Sequence, residues 1–285
     1  MLDLSLHQGT SLHCHTPEIE LRLSAVVSQG PNGRALETLW QVCSHLQRLG
    51  YPVIVLDGTA EESYAAPGLQ HLLTSTPRGN GSFAIGGAHA SSLAVIPAFQ
   101  GLYTLAFNSP HVSQPLQALQ PLFRQYALIV VYASVATLST PLLKGTATAP
   151  LLLMQPGKSG IVSSYKQLKQ LALHTGIAGT VACITDSDRP AQRREIDGEL
   201  HTLRQCAARH LGQQIGTTSI YAASAQDMQR LALRLLENAG TLGAPSHGAP
   251  AYAAPANPRS LTESYPPFHQ RPSTEIYTAK GQLER

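Results

Sequence analysis

Apolar side chains fall along this chain in short runs separated by stretches of helical spacing, and that alternation predicts the fold. Residues 23–27 are apolar except for Ser24, and the run is short enough for a buried strand. A turn over residues 28–33 follows. Leu36, Leu39, Trp40, Cys43 and Leu46 then recur at helical spacing, and Gly50 and Pro52 stop the helix. Residues 52–56 predict a second strand. Strand, turn, helix and strand within about 35 residues make a βαβ unit with two parallel strands.

The alternation repeats. Strands are predicted at 93–97, 127–131, 151–154, 180–184 and 219–221. Between them lie helical faces on Leu116, Leu119, Leu122 and Phe123; on Val162, Tyr165, Leu168 and Leu171; and on Ile196, Leu200, Leu203, Cys206 and Leu211. Met228, Leu231, Ala232, Leu235 and Leu236 mark a last helix. Strands this continuously apolar suit a parallel sheet covered on both faces. The expected fold class is α/β: a three-layer α/β/α Rossmann-like fold with a mostly parallel sheet of six to seven strands.

Beyond residue 240 no hydrophobic period survives, and seven of the 20 prolines lie between Pro245 and Pro272. The expected organisation is an irregular N-terminal arm at 1–21, an α/β domain at 22–240 and a Pro-rich disordered tail at 241–285. Ile276, Tyr277 and Leu283 would be the anchors if that tail is a docking peptide.

Composition narrows the function. The chain has 285 residues, 43% of them hydrophobic, enough for a sizeable core. A net charge of +3 without a Lys/Arg run argues against nucleic acid as partner. No apolar run reaches about 18 residues and no signal-peptide pattern opens the chain, so the expected location is cytoplasmic without direct membrane insertion. Cys14, Cys43, Cys183 and Cys206 form no CxxC pair and are expected to be free thiols. His13, Cys14 and His15 are adjacent rather than spaced for convergence, so no metal site is expected.

In a doubly wound sheet the ligand crevice lies at the carboxyl ends of the strands, where a loop feeding a helix N-terminus binds phosphate. Here that loop reads Ser28-Gln29-Gly30-Pro31-Asn32-Gly33-Arg34-Ala35, and the next strand ends Leu56-Asp57-Gly58. This opening resembles that of the MinD/ParA P-loop ATPases, whose loop reads GKGGVGKTT and whose next strand ends in Asp. Leu93-Ala94-Val95-Ile96-Pro97-Ala98 with Gly101-Leu102 is similar to a strand of the flagellar-number regulators FlhG/FleN. Residues 126–134 look like the family's YDxVxIDTPP strand, and 151–157 like the strand that follows. The resemblance spans roughly residues 22–240 and includes the BcsQ-like relatives of cellulose secretion.

The departures fall on functional positions. Placed on the family's loop, Ser28 replaces a glycine, Gln29 the signature lysine, and Pro31 a glycine whose N–H is thereby lost. Gly30 and Gly33 are kept. Arg34 replaces the P-loop lysine with a larger planar cation. Ala35 replaces the Ser/Thr that binds Mg²⁺, Tyr132 replaces an acidic residue, and Thr59 replaces the second aspartate after Asp57.

The resemblance therefore implies a degenerate P-loop with no catalytic residue, no metal and no cofactor, ATP and Mg²⁺ being bound weakly or not at all. It also implies a pseudo-ATPase that positions or regulates a bacterial envelope machine, such as a flagellum, a pilus or a cellulose-secretion complex. The partner would be an active family paralogue or a machine component, able to recruit the chain to the inner-membrane face. The DQAxxLR arm of the FlhG proteins and the basic amphipathic terminal helix of MinD are both missing. Two alternatives are a divergent nucleotide-dependent ATPase switch using Arg34 and Asp57, and a small-molecule sensor using the same crevice.

Two further stretches attract notice. Pro156-Gly157-Lys158-Ser159-Gly160 also joins a strand to a helix and is an alternative anion loop. Asp186-Ser187-Asp188 resembles the family's base-recognition stretch, with Thr185 in place of Asn, and Asp188 is expected to cap the helix opened by Pro190.

Overall fold

Seven strands, most of them too apolar to face water on either side, form one parallel sheet. In the computed structural model these are β1 (Arg22–Ser28), β2 (Val53–Asp57), β3 (Ala94–Pro97), β4 (Leu128–Ser134), β5 (Leu151–Met154), β6 (Thr180–Thr185) and β7 (Gly216–Tyr221). The structure describes residues 20–28, 33–75, 93–109, 113–186 and 189–242, with only the backbone described for Gly33 and Arg34. The chain divides into a unit at Met1–His247 and a second at Gly248–Arg285, the latter outside the described residues. The expected arm lies outside them as far as residue 19, and the tail, including Ile276, Tyr277 and Leu283, from residue 243.

The strand order is β3-β2-β4-β1-β5-β6-β7, and a two-residue strand β8 (Gly240–Thr241) pairs antiparallel with the start of β1. The sheet thus has one strand more than expected. It also carries the fold past residue 240: Leu242 is buried and donates its N–H to the Leu21 carbonyl at 2.9 Å.

Helices cover both faces. One face packs on α1 (Gly33–Arg48) and α7 (Ala225–Glu237) through Leu39, Val42, Cys43, Leu46, Met228, Leu231 and Leu235. The other packs on α2 (Leu69–Ser75), α3 (Phe99–Asn108), α5 (Lys158–Thr175) and α6 (Pro190–Leu211), with Leu102, Leu105, Leu168 and Leu203 in that core. A four-residue α4 (Val135–Leu138) follows β4 directly.

Three expectations change. The buried face of α1 is Ala35, Leu39, Val42, Cys43 and Leu46, while Leu36 and Trp40 are 44% and 48% exposed, one helical step out of the core. Leu116 and Leu119 are buried as foreseen, but from a 3-10 turn at Pro115–Leu119 rather than an α-helix, and Phe123 is buried beyond it; Pro121 has no N–H with which to continue a helix. The N-cap of α6 is Arg189, which makes no side-chain capping bond, with Pro190 in the first turn. Ser187 and Asp188 lie outside the described residues.

Candidate functional site

The parallel register brings the carboxyl ends of β1, β2 and β4 together beside the start of α1. Asp57 of β2 lies level with Tyr132 of β4, and Ser134 of β4 level with Ser28 of β1. Five residues after Ser28 the chain enters α1, whose first turn contains no acidic side chain to offset the N–H groups that lack an intrahelical partner. Gln29, Gly30, Pro31 and Asn32 lie outside the described residues, as does the side chain of Arg34.

Asp57 is fixed by its neighbours. Its Oδ1 accepts the Thr59 N–H at 2.9 Å and the Thr59 hydroxyl at 2.6 Å, an Asx turn that sets the carboxylate at the strand's end. Thr59 thus orients the Asp57 carboxylate. Gly58 donates its N–H to the Tyr132 carbonyl at 2.7 Å, tying this turn to β4. The approach is close: a Cβ at Gly58 would meet Ala133 Cβ and Leu102 Cδ1, each at 2.8 Å.

Ala35 and Tyr132 are both buried in the α1 face of the sheet, with Val26 and Leu39 in the same core. The structure thus brings Asp57 and Tyr132 to one strand end and Ala35 to the first turn of the helix beside it. Ala35 brings a methyl group and Tyr132 a phenol to this core. Ser134 caps α4, its Oγ accepting the Thr137 N–H at 3.1 Å.

Two carboxylates absent from the sequence reading shape this end of the sheet. Glu62, after β2, accepts the N–H of Gln70 and that of Gly101, both at 2.8 Å, so one side chain serves the N-terminal turns of α2 and α3. Glu199 of α6 accepts the Gly157 N–H at 3.0 Å. Gly157 is the N-cap of α5 with φ +104°, so the 156–160 loop already has a carboxylate of the chain's own at the helix start where an anion would bind. Nothing local marks either glutamate, because the partners are 39 and 42 residues away for Gly101 and Gly157.

Two of the described cysteines are unsuited to chemistry. Cys43 and Cys183 are buried free thiols, both pushed up to about 12 by burial, with Glu199 adding to the effect at Cys183. Cys206 is free and half-buried. Among the described residues no group of three or more His, Cys, Asp or Glu side chains is placed to hold a metal ion, and no helix is long and apolar enough to cross a membrane.

A doubly wound sheet with a loop leading into a helix N-terminus at its switch point defines the architecture. No protein-family profile matches the chain, and neither does any curated protein. Solved structures do. Cobyrinic acid a,c-diamide synthase from Mycobacterium smegmatis with bound ADP and magnesium is similar at 14% identity and a TM-score of 0.52, over 76% of this chain and 94% of that one. The same enzyme with bound ATP analog and magnesium matches at 13% identity and a TM-score of 0.52, over 76% and 95%. The MinD cell division protein of Aquifex aeolicus is similar at 14% identity and a TM-score of 0.45, over 76% and 97%. The chain shares the three-layer α/β/α fold of that synthase.

These structures correct one expectation. A site without a cofactor, taking ATP and Mg²⁺ weakly or not at all, does not follow from this fold, which in the synthase holds ADP or an ATP analog together with magnesium.

Proposed function

We propose that this chain is a nucleotide-binding protein that hydrolyses its nucleotide slowly and acts through protein–protein contacts. The observation behind this reading is the arrangement at the carboxyl ends of β1, β2 and β4. A helix N-terminus without an acidic first turn follows β1, Asp57 ends β2 level with Tyr132, and Ala35 and Tyr132 stand in one core at the positions from which the resembled family supplies metal donors. The polyphosphate fits the N–H groups of α1. Magnesium, where bound, neutralises charge on the phosphates. Asp57 is the carboxylate this chain offers toward it, held by Thr59 through Oδ1, and its other oxygen has no hydrogen bond to a described residue.

Replacing one preorganised donor at a developing charge costs about 3 kcal/mol, or a hundredfold or more in rate. With Ala35 and Tyr132 in place, nucleotide exchange or partner binding would dominate over turnover. The sequence resemblance to FlhG/FleN and BcsQ-like proteins supports an envelope machine as the context: a flagellum, a pilus or a cellulose-secretion complex. An active paralogue or a machine component is the partner that this resemblance favours.

The test is calorimetric titration with ATP and ADP, each with and without Mg²⁺, beside a phosphate-release assay. Wild-type protein is expected to bind nucleotide with a phosphate-release rate near background. The Ala35→Ser/Tyr132→Asp double variant is expected to release phosphate faster at similar affinity. Phosphate release by wild type at the rate of an ordinary ATPase of this fold would refute the slow-hydrolysis reading, and no binding of either nucleotide would refute the nucleotide-binding one.

A further inference from the structure

Helix α3 buries one side and leaves the other uncovered by the described residues. Gly101, Leu102, Leu105 and Ala106 enter the core, whereas Phe99, Tyr103 and Phe107 stand outward, 45%, 60% and 53% exposed. Four-residue spacing places these rings in a single row about 12 Å long. Tyr103 and Phe107 already touch, with ring centroids 4.7 Å apart and planes tilted by 46°. Rings that lean on each other in the free protein lose little side-chain freedom on binding, which suits them to the centre of an interface.

The surroundings of the row indicate what covers it. From Leu93 to Phe123 the sequence has no Asp, Glu, Lys or Arg. Gln100, Thr104 and Asn108 flank the rings with uncharged polar groups. The described elements that pack most extensively against α3, namely α2 and the 3-10 turns at Pro115–Leu119 and Pro141–Leu143, carry no such charge either. Glu62 is engaged with the helix N-termini, and Lys144 follows the second turn. Such a face does not attract phosphate backbones, anionic lipid headgroups or charged peptides. It is complementary to itself, because a two-fold contact sets every charge on an isologous face near its own copy and the described residues of this face have none.

The row also has the right symmetry. With a two-fold axis at Tyr103 and the helices antiparallel, Phe99 meets Phe107 of the second copy and the two Tyr103 rings meet each other. Each ring leaves on the order of 100 Å² uncovered, so the three supply about 300 Å² of the roughly 800 Å² per partner in a standard interface. The uncharged flank supplies the polar rim.

We propose that the α3 face is a homodimer interface, closed by a second copy of this chain across Phe99, Tyr103 and Phe107. The contact needs no nucleotide and stands independently of the function proposed above.

Sedimentation velocity on the full chain, without nucleotide and over a dilution series, tests it. Wild-type protein sediments as a concentration-dependent dimer. Tyr103→Glu and Tyr103→Lys each raise the dimer dissociation constant by roughly a hundredfold. At this exposed position both should keep the wild-type thermal transition, and Phe107→Gln provides a milder version if either fails to fold. Mixing the Glu and Lys variants restores a dimer, because the axis sets residue 103 against residue 103. A wild-type monomer at every concentration, a Tyr103→Glu dimer as tight as wild type, or a mixture that stays monomeric would each overturn the proposal.

Discussion

Removing the Glu62 carboxylate tests whether one side chain organises the region between β2 and α3. Its two acceptor bonds go to N–H groups in the first turns of α2 and α3, and the residue before α3, Ala98, provides no side-chain cap. A hydrogen bond to a charged group contributes about 1.5–3 kcal/mol, and a negative charge near a helix N-terminus about 0.3–1 kcal/mol more. Partial exposure of Glu62 reduces both contributions. Glu62→Gln keeps one acceptor, turns an NH₂ group toward the other N–H and should cost about 2 kcal/mol. Glu62→Ala leaves both donors to water and should cost about 3 kcal/mol. Urea unfolding read by circular dichroism and by fluorescence of Trp40, the only tryptophan, measures both. If each variant stays within about 0.5 kcal/mol of wild type, the carboxylate is not the organising contact. If Gln matches Glu while Ala does not, its charge plays no part.

Three further outcomes are expected. Gly58→Ala should destabilise by about 1–3 kcal/mol, because the added methyl has Ala133 Cβ and Leu102 Cδ1 at 2.8 Å; thermal unfolding checks it, and an unchanged transition would mean that the turn yields freely. Native protein should resist alkylation at Cys43 and Cys183 at pH 8, where both stay protonated, while Cys206 reacts; mass spectrometry after iodoacetamide locates the label. The two buried thiols have folded values near 12 against 9.0 for the free group, so the folded state binds the extra proton. Their stabilising effect is intact below pH 9 and lost as pH rises toward 12, and unfolding free energy measured across that window should fall.

The strands were legible because a parallel strand buried on both faces leaves a continuous apolar run: 23–27 foreshadows Arg22–Ser28, and 151–154 coincides with Leu151–Met154. Helix α3 was not, since Phe99, Tyr103 and Phe107 face outward while Leu102 and Leu105 face inward, and apolar residues all round erase the period. The same ambiguity let Leu36 and Trp40 pass for core in α1. A two-residue strand such as β8 carries no pattern at all. At the candidate site, the placement of Asp57 at a strand end and of Ala35 in the first turn of a helix was readable from local order. Glu62 and Glu199 were not, because their targets are set by topology rather than by neighbouring sequence.

The pairing of β8 with β1 makes the described fold nearly a ring of chain. It enters at Leu21 and leaves at Leu242, whose backbones share a hydrogen bond, beside the starting ends of the strands and away from the crevice at their finishing ends. A ring can be cut anywhere its backbone is exposed. A circular permutant joining the two points with a short linker and opening in the loop around Ser63–Ala66 should keep the sheet order intact, which makes this sheet a candidate host for inserted sensor or reporter domains.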